Sequence, residues 1–174
     1  MTKQIKQSTI YSLILVALVG LVWWLATGNN SAALSDSAAA SAYSASALTT
    51  TDSNYDFQTI SMAAGKVEHD YILKNDGAEP LRIDKALTSC MCTEALITDA
   101  KGKQYGPFGM PGHSSSGKSN IIVNPGDEVI VKAIFDPAAH GPSGVGMAQR
   151  SIYLETNSAQ SPKLELRFQA MVTN

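Results

Sequence analysis

From Tyr55 to the C-terminus, apolar residues recur at every second position, in short runs broken by turn-forming residues. In "KVEHDYILKN", Val67, His69, Tyr71 and Leu73 share one face, and Glu68, Asp70, Ile72 and Lys74 share the other. A half-buried strand shows this alternation because successive side chains point to opposite faces; a helix does not. Asn75-Asp76-Gly77 then closes the run with residues that tolerate positive φ. Leu81 and Ile83 alternate against Arg82 and Asp84. Val129, Val131, Ala133 and Phe135 do the same after the turn Asn124-Pro125-Gly126-Asp127, and Ile152, Leu154 and Thr156 follow. In "KLELRFQAMVT", Leu164, Leu166, Phe168, Ala170 and Val172 point inward, and Glu165, Arg167, Gln169 and Met171 outward. No stretch in this part keeps a helical period for three turns. Roughly six to eight short strands without helices predict an all-β fold, an immunoglobulin-like β-sandwich over residues 55–174. Thr98 to Asn120, rich in Gly, Pro and Ser, is predicted as one long surface loop.

The N-terminal part obeys different rules. Lys3 and Lys6 precede an uncharged run from Ile10 to Ala26, which as a helix spans roughly 25 Å of hydrocarbon. Trp23 and Trp24 sit at its far end, where amphipathic rings favour the headgroup level. No Lys or Arg follows until Lys66, so positive charge stays on the near side. Residues 1–27 are therefore predicted as an uncleaved signal-anchor that contacts the bilayer through 10–26. This makes a single-pass protein of the cytoplasmic membrane, N-terminus inside and domain extracytoplasmic. The rival is a cleaved signal peptide ending at Gly28, but the apolar run exceeds the usual signal core of roughly 7–15 residues. Residues 28–54 are almost wholly Ala, Ser, Thr and Asn, lack the bulky groups that offset ordering entropy, and are predicted as a flexible linker.

Several function classes fall away. With 13 basic against 15 acidic residues the chain has no surplus charge for nucleic acid. "GHSSSGKS", Gly112 to Ser119, matches a phosphate-binding loop in letters. Such a loop needs a strand leading in and a helix leading out, whereas "YGPFGMP" precedes it and Pro125-Gly126 follows closely. No nucleotide is expected. Ser114 to Ser116 beside His113 form no triad, and the carboxylates are scattered, so neither a catalytic set nor an enzyme is expected.

The chemistry concentrates in "TSCMCTEA", which holds both cysteines of the chain. On an extended strand Cys90 and Cys92 project from the same face, with Cα atoms roughly 6.6 Å apart. A disulfide then needs a bulge or turn and is strained. Two thiolates can instead chelate a soft ion, copper as Cu(I), with Met110, His113 and His140 as further ligands from Gly/Pro-rich loops. Met147 lies in the same loop as His140 and is a further candidate, whereas Met91, pointing away from both sulfurs, is the weakest. His69, among inward residues, is read as a core or cross-strand histidine, and His113 and His140 as solvent-facing. A disulfide or redox pair, a metal site and simple packing all stand open at this point.

"YDFQTI", "KVEHDYILKNDGAEPLRI", "SCMCT", "NPGDEVIVKAIFDP" and "IYLETN", in that order, resemble the bacterial family called domain of unknown function 1573. Its members show a Phe-Gly-x-Ile start, a His-x-Phe strand ending in Lys-Asn-x-Gly, a Ser-Cys-Gly-Cys-Thr core and a strand ending in Thr-Asn. The resemblance covers about Tyr55 to Asn174 and implies an immunoglobulin-like domain of the major sperm protein and pilus-chaperone group, a binding or scaffolding module. Met91 stands for the usual glycine, which makes a tight Cys-x-Cys turn unfavourable. Gln58 replaces the opening glycine, with less expected consequence.

The sequence thus points to a membrane-anchored module outside the cytoplasm that binds a protein or envelope partner, with strand addition at an open sheet edge as its mode. Copper binding or thiol–disulfide exchange at Cys90 and Cys92 is the alternative.

Overall fold

The computed structural model describes residues 17–18, 43–113 and 117–174. The chain divides into Met1–Ala39 and a compact unit, Ala40–Asn174. Of the predicted membrane span only Ala17 and Leu18, both helical, are described; the rest of the span and most of the linker lie outside the described residues. Among the described residues no helix is long and apolar enough to cross a membrane.

The compact unit is all-β. Its strands are β1 (Leu48–Thr49), β2 (Asn54–Ser61), β3 (Val67–Asn75), β4 (Leu81–Thr88), β5 (Thr93–Thr98), β6 (Gln104–Phe108), β7 (Lys118–Val123), β8 (Glu128–Phe135), β9 (Gly146–Thr156) and β10 (Lys163–Thr173). They form two five-stranded sheets, β1-β3-β8-β5-β6 and β2-β10-β9-β4-β7. The β2–β10 pair is parallel and the remaining pairs are antiparallel. The period-two residues meet between the sheets: Tyr71, Leu73, Leu81, Ile83, Val131, Leu154 and Leu166 have no exposure at all. Each such side chain contributes about 1.5–3 kcal/mol through removal from water. Tyr71 also donates its hydroxyl to the Arg167 carbonyl at 2.6 Å, a polar link from one sheet to the other. His69 lies against this core, as read from its strand position. It stacks on Tyr55 with centroids 3.6 Å apart, and its Nε2 is 3.3 Å from Asp52 Oδ2 but outside hydrogen-bonding geometry.

Three expectations change. The segment 98–120 is not one loop, since it contains β6 and the start of β7. Gly106-Pro107 hid β6, yet β6 is an edge strand, where a missing N–H costs no ladder bond. Second, the fold begins before Tyr55. Ser44 bridges to Ser158, Leu48 is buried, and buried Ser46 packs so closely on Gly77 that a Cβ there would meet its Oγ at 2.1 Å. Third, Gln58 matters more than Met91. Gln58 has φ +60°, whereas Met91 is not among the residues with positive φ. On β2, Asp56 pairs with Gln169 and Thr59 with Met171, so Phe57 and Gln58 together oppose one residue of β10. This bulge changes the phase of the strand and lets both Phe57 and Ile60 face the core.

Candidate functional site

The two cysteines do not lie on a pleated strand. They occupy a turn, residues 89–92, that carries the chain from β4 in one sheet to β5 in the other. The Thr93 amide donates to the Cys90 carbonyl at 3.1 Å and closes the turn. Buried Thr88 braces it from inside: its Oγ1 lies 3.0 Å from the Cys90 carbonyl and 2.9 Å from the Thr93 carbonyl. Ser89 locks it to β9, donating its amide to the Ser151 carbonyl and accepting from the Ser151 amide through Oγ, both at 2.9 Å. The expectation of parallel projection from a ribbon is therefore corrected. The sulfurs meet because the chain bends, and it bends without positive φ at Met91.

The bend places Cys90 Sγ and Cys92 Sγ 2.6 Å apart, both thiols free. Cys92 is 3% exposed and belongs to the core, whereas Cys90 is half-buried at its rim. The third member comes from the segment between β8 and β9. The Asp136 amide donates to the Cys92 carbonyl at 2.9 Å, which ties this segment to the cysteine turn. A short turn around Pro142 follows, in which Ser143 Oγ donates to the His140 carbonyl at 2.7 Å. His140 Nε2 thereby comes within 3.2 Å of Cys90 Sγ. Its ring is exposed, as expected, yet it is also a site residue.

Arg150 on β9 completes the group, and its role was not legible in the sequence. Its Nε donates to Cys92 Sγ at 3.0 Å, and its guanidinium lies 5.8 Å from the centre of the Phe135 ring. The residue alternates out of phase with the usual polar positions of β9, since it pairs with Phe168 on the core-facing side. A charged residue at an inward position was the available clue.

These contacts split the two thiols. Burial pushes Cys90 up, but the Cys92 thiol, the Cys92 amide, His140 and the Arg150 charge together outweigh it and bring Cys90 to about 7. Burial and the proton it shares with Cys90 push Cys92 up, against Arg150 and Thr93. The pair therefore loses its first proton near neutrality, with Cys92 donating to a Cys90 thiolate.

Cys90 Sγ, Cys92 Sγ and a His140 ring nitrogen all lie within 4.8 Å of one another, a set that could hold a metal ion. Of the other ligands considered, His113 is exposed and is not in this set, and Met110 is half-buried beside a turn closed by the His113 amide. Met91 and Met147 are both exposed. The phosphate-loop match has a structural explanation instead. Lys118 opens strand β7 rather than a helix, and Gly117, at φ +71°, accepts the Ala86 amide where a Cβ would strike Leu87.

Fold and site together define an immunoglobulin-like β-sandwich with a thiol–imidazole cluster at one end. Residues 48–104 match the family model described as protein of unknown function DUF1573, a shorter stretch than the sequence resemblance suggested. No curated protein matches the chain. A crystal structure of a protein of unknown function from Porphyromonas gingivalis W83 aligns with TM-score 0.55 at 15% identity, over 78% of this chain and 51% of that one. The chain thus spans about half of that protein, and the likeness shows the fold. The VesB protease of Vibrio cholerae aligns at TM-score 0.48 and 15% identity over 73% of this chain and 32% of its own. The YadV chaperone aligns at 0.44 and 7%, over 75% and 53%.

Proposed function

We propose that the protein is an extracytoplasmic, membrane-tethered sandwich that acts by binding rather than catalysis, and that Cys90, Cys92 and His140 hold Cu(I). The observation that carries this reading is the convergence of two thiols and one imidazole within 4.8 Å from two separate connections of the sandwich. Thiolate and imidazole donors suit a soft ion, and three donors suit the low coordination number of Cu(I). Arg150 supports a monovalent occupant. Two thiolates, one Cu(I) and one guanidinium sum to zero charge, whereas a divalent ion would leave a net positive charge at a half-buried site. Chelation requires the sulfurs to open from 2.6 Å to roughly 4 Å, a side-chain rotation at half-buried Cys90. The tether through residues 10–26 would hold this end outside the cytoplasmic membrane, within reach of an envelope or protein partner.

Full-length reduced protein in detergent micelles, titrated with Cu(I) against a tight chromophoric competitor, should withhold one ion per chain from it. C90S/C92S should abolish this competition, and H140A should weaken it at least about tenfold. Failure to compete for Cu(I), or binding indifferent to C90S/C92S, overturns the proposal.

The sulfur separation and the lowered Cys90 favour a second reading, thiol–disulfide exchange. Here the Cys90 thiolate attacks a partner disulfide and expels a partner thiolate. Cys92, deprotonated, then attacks the mixed disulfide, leaving a Cys90–Cys92 bond and a dithiol partner. A pair that resists both reductant and oxidant would exclude it.

A further inference from the structure

We propose that Met147 and Met171 form a second soft-metal site, a two-thioether seat for a monovalent ion on the outer face of the β2-β10-β9-β4-β7 sheet. This inference does not rest on the cysteine reading. The two residues are direct partners in the β9–β10 register, and both are unusually exposed for methionine, 57% and 40%. Directly opposed residues of an antiparallel pair have Cβ atoms about 4.5–5.5 Å apart. Three rotatable bonds in each side chain can then bring the sulfurs to either side of one ion.

The surroundings favour an ion over a hydrophobic partner. The flanking register pairs are Gly146 with Val172 and Ala148 with Ala170, both on the core-facing side, so they do not crowd the thioethers. On the outer face the next pair is Gln149 with Gln169, and Thr59 of β2 lies beside Met171, so the methionines are bordered by neutral polar groups. No lysine or arginine stands among these neighbours to repel a cation. Thioethers are soft and uncharged, so they select Cu(I) or Ag(I) over Mg²⁺, Ca²⁺ or Zn²⁺ and bind weakly, with fast exchange. The site is also placed for transfer. Ser151, which anchors the cysteine turn, lies on the same strand as Met147, four residues or roughly 13 Å further along.

The test uses the full-length chain in detergent micelles, carrying C90S/C92S/H140A and ¹³C-methyl methionine, titrated with Ag(I) as a redox-inert probe. The Met147 and Met171 methyl resonances should shift together and saturate near one equivalent. M147L, a volume-conserving change, should remove the Met171 shift, and M171L the Met147 shift, with the rest of the spectrum unchanged. No shift, a shift of every methionine alike, or a Met171 response that survives M147L overturns the site. Loss of the cysteine proposal leaves this result untouched, because the probed chain lacks those ligands.

Discussion

Deleting the Cys92 thiol should move Cys90 back toward an ordinary cysteine. Cys90 sits at about 7 because its partners outweigh the effect of burial, and the foremost of them is the Cys92 thiol 2.6 Å away. Cys92→Ala removes that donor and leaves the residue's own amide at 3.5 Å and His140 at 3.2 Å in place. A hydrogen bond to a charged acceptor is worth about 1.5 kcal/mol, close to one pKa unit. The Cys90 midpoint should therefore rise from about 7 to about 8. Cys92→Ser, which retains a hydroxyl donor, should fall between the two. Alkylation of reduced full-length protein by iodoacetamide across a pH series, followed by mass spectrometry, reads each midpoint directly. An alanine variant that still titrates near 7 would show that the sulfur–sulfur contact does not set Cys90. The sign also fixes the pH dependence of metal binding. Protons compete for both sulfurs, so Cu(I) affinity should fall most steeply as pH drops through about 7, where Cys90 is protonated too, and should still climb above neutrality while the raised Cys92 sheds its own proton.

Two further expectations concern the scaffold. Gln58→Gly should stabilise the domain by about 1 kcal/mol, a rise of about 4 °C in Tm, because φ +60° strains any residue with a Cβ; destabilisation in thermal unfolding would refute the bulge account. Gly117→Ala should cost about 2 kcal/mol and lower the urea midpoint, since φ is +71° and the new methyl would lie 2.5 Å from Leu87 Cδ2 and 3.0 Å from the Ala86 oxygen.

The sandwich was legible wherever one strand face is buried and the other wet, as along Tyr71–Leu73, Val129–Phe135 and Leu164–Val172. It was not legible where the chain runs at an edge. Gly106-Pro107 in β6 and Asn120 at φ +51° in β7 look like loop chemistry, because edge strands tolerate what inner strands refuse. Ser44 and Ser46 were hidden for a related reason: small polar residues buried against Asn157 and Gly77 carry no apolar periodicity. Within the candidate site, the sequence offered Cys90 and Cys92 by spacing and His140 by its loop, together with Met110 and His113, and for the wrong local geometry at the cysteines. Spacing carries i,i+2 proximity but not the turn that Thr88, Ser89 and Thr93 impose through hydrogen bonds. Arg150 is in phase with the inward run Ile152, Leu154 and Thr156 but precedes it and carries a charge, which disguises the inward direction that its pairing with Phe168 shows.

Both stretches that supply donor atoms are crossings: one takes the chain from β4 to β5, the other from β8 to β9, each from one sheet to its opposite. An ion seated between them is a rivet through the open mouth of the sandwich. A ligand that favours the folded state at a thousand times its dissociation constant adds about 4 kcal/mol. The melting curve of the whole domain would then follow the metal supply of its compartment, and a chelator would loosen that mouth first.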